Sequence, residues 1–145
     1  MWFRLTLVFA LGAALAGCRE RSGTLTPAQR ERFAAEGLRR QADDLIFRYT
    51  DHPGRRDARW EDRLASIVVT GATVLVHKNE KVGVEITPGT RRWAAVERSG
   101  SRVRIRVGQG RTEELWSFAP PDDPSGWAED IRAVIHRSDS EANRP

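Results

Sequence analysis

One cysteine, Cys18, stands in a chain of 145 residues. A disulfide framework is therefore excluded, and so is a zinc site built from paired cysteines. Histidine is nearly as scarce. His52, His77 and His136 are the three present, and none has a second histidine at the spacing that puts two imidazoles on one helix face. Lysine is rarer still, with Lys78 and Lys81 set against 22 arginines. No uncharged run is long enough to span a bilayer. Leu5 to Ala16 gives 12 residues, where a spanning helix needs roughly 20. No block of like charges is long enough to suggest a nucleic-acid tail.

That short apolar run sits behind a single positive charge, Arg4, and is followed by small residues. Its length suits the hydrophobic region of an export signal and not a membrane anchor. Leu15-Ala16-Gly17-Cys18 resembles the lipobox of bacterial lipoproteins at all four positions. The resemblance covers the first 18 residues. It implies that the chain is cut between Gly17 and Cys18, and that Cys18 carries a diacylglyceryl group and an amino-terminal acyl chain. A thiol is the natural acceptor because its pKa is the lowest of the unhindered nucleophiles. Several acyl chains, at about 0.8 kcal/mol per buried methylene, hold a protein firmly to a membrane. Arg19 stands where, in that family, an aspartate favours retention in the inner membrane. The resemblance thus points to the outer membrane, facing the periplasm.

Loss of residues 1–17 leaves 128 and a net charge of 23 − 20 = +3, enough for one domain with a modest core. The excess of arginine over lysine fits a codon bias as simply as a binding device. Residues 18–25 read as lipidated cysteine and tether, 26–137 as one α+β domain, and 138–145 as a polar flexible tail.

Within the domain, Thr26-Pro27-Ala28-Gln29 carries the signature of a capped helix start. Ala34, Leu38, Ala42, Leu45 and Tyr49 then recur at intervals of three and four. That spacing predicts a long amphipathic helix to about Thr50, stopped by Asp51-His52-Pro53-Gly54. Arg55 to Arg63 leaves open a loop, a helical turn or a first strand, with Trp60 expected to fold back onto the core. From Leu64 the period becomes two. Ala65–Thr70, Thr73–Lys78, Lys81–Thr87, Arg92–Arg98, Arg102–Val107 and Thr112–Phe118 read as about six antiparallel strands, forming a curved sheet or partial barrel. Trp127, Ile131, Val134 and Ile135 mark a closing helix, with Glu129 and Asp130 expected in its first turn and His136 and Arg137 in its last. The strands followed by LWSFAPPDDPSGWAEDIRAVI are similar to the end of a pleckstrin-homology-like domain, in which a C-terminal helix with a tryptophan near its start closes a curved sheet. That likeness implies a fold and no ligand.

Chemistry is thinly represented. Asp43-Asp44, Asp122-Asp123 and Glu113-Glu114 are neighbours in sequence, so their side chains diverge on either a strand or a helix. Gly108-Gln109-Gly110 lacks the third glycine and following helix of a phosphate loop. No catalytic residue and no metal or other cofactor is expected. His77 is expected to face solvent beside Lys78. The main surface feature is RVRIRV, in which Arg102, Arg104 and Arg106 alternate with Val103, Ile105 and Val107. Such a row sets three guanidinium groups about 6.6–7 Å apart along one face, suited to forked bonds with carboxylates. Equally, it reads as a solvated face, with Glu85, Glu97 and Glu113 as cross-strand partners. Trp93 and Trp116 read as core residues or as aromatic anchors beside that row. The resulting expectation is a lipid-anchored, non-enzymatic module that binds an acidic envelope protein, as an inhibitor, immunity protein or assembly accessory. The alternative is a small-ligand or lipid carrier.

Overall fold

The computed structural model describes residues 25–78 and 81–142. The expected signal segment, Cys18 and the expected tether up to residue 24 lie outside the described residues. A short helix α1 (Pro27–Ala35) leads into seven strands: β1 (Leu38–Thr50), β2 (Glu61–Thr70), β3 (Val74–Lys78), β4 (Lys81–Ile86), β5 (Trp93–Ser99), β6 (Arg102–Gln109) and β7 (Thr112–Phe118). Helix α2 (Pro124–Ala142) follows. The strands form one antiparallel sheet in the order β4-β3-β2-β1-β7-β6-β5, curled into a half-barrel.

The long N-terminal helix expected from the sequence is not formed. Its start is as expected: the Thr26 hydroxyl accepts from the Gln29 amide at 3.2 Å, and the Gln29 side chain accepts from the Thr26 amide at 2.9 Å. The helix then stops at Gly37, whose φ of 78° lies in the left-handed region that glycine enters without steric cost. Residues 38–50 are the central strand instead. The helical spacing comes from a bulge. Ala42 pairs with Ile67 and Leu45 with Ala65, so three steps along β1 match two along β2. One extra residue is absorbed there, and Asp44 takes a φ of 54°. A strand with such an insertion keeps Ala42, Leu45, Phe47 and Tyr49 on one face, at spacings a helix would also satisfy.

The curl follows from how β1 is shared. It pairs with β2 along most of its length but with β7 only through Arg48, Tyr49 and Thr50. The two halves of the sheet diverge and leave a concave face between them. The core fills that face: Phe47, Ile67, Val69, Val74, Val76, Ile105 and Phe118 are fully buried, each contributing roughly 1.5–3 kcal/mol by burial.

Helix α2 closes one end. Trp127, Ile131, Val134 and Ile135 all enter the core, as their spacing predicts. The Trp127 ring meets Phe118 edge-on at 5.7 Å and donates from Nε1 to Asp122 Oδ1 at 2.8 Å. Arg40 ties the helix to β1 through Asp130, Nε to Oδ2 at 2.8 Å. The helix begins at Pro124 and runs to Ala142, which corrects three expectations. Glu129 and Asp130 lie beyond its first turn, and His136 and Arg137 before its last. Ser138, assigned to the tail, is buried and donates to the Thr87 carbonyl at 2.8 Å.

Two smaller corrections concern the outer face. Leu25, expected in a tether, packs with Phe33, Val68 and Leu75. Trp60 does not reach the core. It is 44% exposed, with the Arg48 guanidinium 5.1 Å from its ring. Helix α1 is held down by a carboxylate clasp, in which the buried Thr70 hydroxyl donates to Glu36 at 2.7 Å. Burial raises the Glu36 pKa and is the largest single influence. Hydrogen bonds from Thr73 and Thr70, together with Arg32, outweigh it and hold the group below the ordinary carboxylate value.

Candidate binding groove at the open end of the half-barrel

The end opposite α2 is shaped by a mismatch in strand length. The β2–β3 ladder stops at the Ser66–His77 pair, while β2 continues through Glu61. Among the described residues no strand lies against the second edge of Glu61–Leu64. The gap opens a groove of about 620 Å³ beside the β3–β4 hairpin, within the 300–1,000 Å³ typical of small-molecule sites.

Trp116 forms part of its base. It projects inward from β7, packs against Tyr49 at 4.6 Å and Phe47 at 6.1 Å, and is 3% exposed. Its ring fits only because residue 83 is glycine. A Cβ there would lie 2.7 Å from Trp116 Cη2. Arg63 lies over the rings, 3.6 Å from the centre of Tyr49 and 5.4 Å from that of Trp116, and donates to Glu61 Oε2 at 2.9 Å. Burial, followed by the charge of Glu114, raises the Tyr49 pKa, so the phenol stays neutral.

The groove has two poles. Ile46, Leu64 and Val82 supply apolar surface, and Ile46 and Val82 are 62% and 52% exposed. Lys78 and Lys81 stand opposite each other at the end of the hairpin, with Asp62 as the acidic residue of the lining. Nothing here resembles an acid–base pair set for catalysis. Among the described residues no three metal-ligating side chains come together.

No family model matches the chain, and no curated protein matches it. The reading of the site therefore rests on its geometry.

The structure separates the residues singled out from the sequence. Arg102, Arg104 and Arg106 do share the outer face of β6, but each is engaged within the sheet. Arg102 donates to Ser117 Oγ at 2.9 Å and to the Ser117 carbonyl at 2.7 Å. Arg104 pairs with Glu97 at 3.3 Å and Arg106 with Glu113 at 2.8 Å. Glu97 and Glu113 are thus the cross-strand partners expected, whereas Glu85 meets Arg32 instead. The depression beside the row holds only about 120 Å³. Trp93 flanks the row on the edge strand β5, 43% exposed and laid across Gly108. Trp116 is on the opposite face and belongs to the groove.

His77, expected at the surface, is buried in β3 at 3% exposure. His52 bonds its neighbour Asp51 at 2.7 Å, and His136 is exposed on α2. The groove itself was not found from the sequence. A usable signal was present, since both lysines of an arginine-rich chain stand three positions apart.

Proposed function

We propose that the protein is a lipid-anchored, non-enzymatic ligand carrier of the cell envelope, with its site in the groove at the open end of the half-barrel. The lipobox-like Leu15-Ala16-Gly17-Cys18 supports the anchor and the outer-membrane address. The observation that carries the binding reading is a groove of about 620 Å³ with apolar walls over Trp116. The curved antiparallel sheet and Trp127 at the start of its closing helix support the likeness to pleckstrin-homology-like domains at the level of shape.

The test is to isolate the full-length protein gently from bacterial membranes, beside Cys18→Ala and Val82→Trp forms. Cys18→Ala should leave the membrane fraction. Native mass spectrometry should show a small-molecule adduct on the wild type, and little or none on Val82→Trp, whose indole fills the mouth. A bare wild-type domain, or equal adducts on both forms, would count against the groove.

A second reading, capture of an acidic envelope protein, now rests on Trp93 beside Arg104 and Arg106. An exposed tryptophan on an edge strand is a natural interface anchor. Crosslinking that retrieves one envelope protein, and loses it with Trp93→Ala, would favour that reading over the carrier.

A further inference from the structure

We infer that β5 is a pairing edge for a second copy of this chain, the two strands running antiparallel about a twofold axis through Val96. The inference is independent of the groove.

The first argument is the state of the edge. β5 ends the sheet, so among the described residues β6 is its one hydrogen-bonded neighbour. The far edge of such a strand offers a row of backbone N–H and C=O groups to another chain. Proteins blunt exposed edges with lysine, proline or a bulge. β4, at the other end of the sheet, carries Lys81 and a register slip against β3. β5 carries none of these, and Trp93 to Ser99 pair with β6 at all seven positions without a break. Helix α2 lies against its inner side, where Ala94 and Val96 pack on the core. Trp93, Ala95 and Glu97 are exposed on the outer face.

The second argument is register. Directly opposed residues in an antiparallel ladder lie on one face. Two copies that keep their outer faces together must therefore pair positions of like parity. An axis through Val96 uses the whole strand. Ala95 then meets the partner's Glu97, Ala94 the partner's Arg98, and Trp93 the partner's Ser99. Each long charged side chain lies opposite an alanine, and no like charges face each other. The neighbouring registers lose this. An axis through Ala95 sets Arg92 against the partner's Arg98, and one through Glu97 sets that carboxylate against its own copy. Like charges directly opposite each other on a sheet are unfavourable.

The third argument is Trp93, 43% exposed at the start of the strand. Large aromatic side chains are natural anchors of an interface. In this register Trp93 stands opposite a small residue, the partner's Ser99. The twofold axis repeats the contact, so one interface covers both tryptophans.

The test uses the full-length protein in membranes and cysteine crosslinking under mild oxidation. The wild type, with Cys18 as its one cysteine, sets the background. Ala95→Cys/Glu97→Cys should give a disulfide-linked dimer in far higher yield than either single variant, because each new thiol faces the other position in the partner. A single variant that crosslinks as strongly as the double would move the axis to Ala95 or Glu97 and overturn the ladder. A second measurement, native mass spectrometry of gently extracted protein, reads the effect of charge. Ala95→Glu sets a carboxylate against the partner's Glu97, twice in each dimer, and should weaken the dimer about threefold or more. Ala95→Lys should strengthen it. Within one copy the signs are reversed, because position 95 faces Arg106. A weaker dimer in Ala95→Glu is therefore distinct from lost folding. Equal dimer from both variants, or monomer throughout, would overturn self-pairing. So would a complex with a different protein in place of the dimer, which would give this strand to another partner.

Discussion

Two glycines show how far a single side chain can matter here. Gly83 and Gly108 each lie under a tryptophan, and a Cβ at either would meet the ring, at 2.7 Å from Trp116 and 2.4 Å from Trp93. The consequences differ because the tryptophans differ. Trp116 is pinned among Phe47, Tyr49 and Arg63 and cannot retreat without disturbing the core. Trp93 is 43% exposed on an edge strand and can swing into solvent. Gly83→Ala should therefore cost about 1–3 kcal/mol, the usual range for overpacking. Gly108→Ala should cost well under about 1 kcal/mol. Urea unfolding of both variants checks this. Equal midpoints would mean that Trp116 is held less firmly than its contacts imply.

At the level of elements, β1 decides the shape of the sheet, and its bulge is the device. Asp44 sits there with a left-handed backbone. Asp44→Val should cost about 1–2 kcal/mol, since a β-branched residue resists that conformation. Asp44→Gly should cost less than Asp44→Val, because glycine enters the left-handed region without steric cost. A neutral Asp44→Val in thermal unfolding would show that the bulge relaxes away. The same bulge explains what could be read in advance. The six later strands follow from alternation, although β4 slips by one residue against β3 between Val82 and Val84. The closing helix follows from Trp127, Ile131, Val134 and Ile135. Residues 38–50 misled because irregularities at Leu38–Arg40 and Ala42–Leu45 turn a period of two into apparent steps of three and four. Gly37, in the middle of the expected helix, was the overlooked warning. The groove was illegible for another reason. It arises from β2 outrunning β3, a difference in strand length that no local pattern states. The arginine row was legible as a row, but its engagement with Glu97, Glu113 and Ser117 appears only once strand order is known.

At the scale of the whole molecule, the half-barrel is closed by a helix at one end and open at the other. Helix α2 meets strands from both halves of the sheet and is pinned along its length by Asp122 to Trp127, Asp130 to Arg40, and Ser138 to Thr87. The groove lies at the far end, around Trp116 and the β3–β4 hairpin. Stability and binding should therefore separate. Trp127→Ala should remove about 3–5 kcal/mol, the usual cost of truncating a buried tryptophan. That is a large share of the roughly 5–15 kcal/mol that holds a domain folded. Trp127→Phe keeps most of the ring contact with Phe118 but loses the bond to Asp122, so it should cost about 1–2 kcal/mol. This milder variant is the informative one. Its urea midpoint should fall while the adduct seen by native mass spectrometry stays as in the wild type. If the adduct falls in step with stability, the two ends are one cooperative unit. The closing helix would then act on the ligand site from the other side of the core.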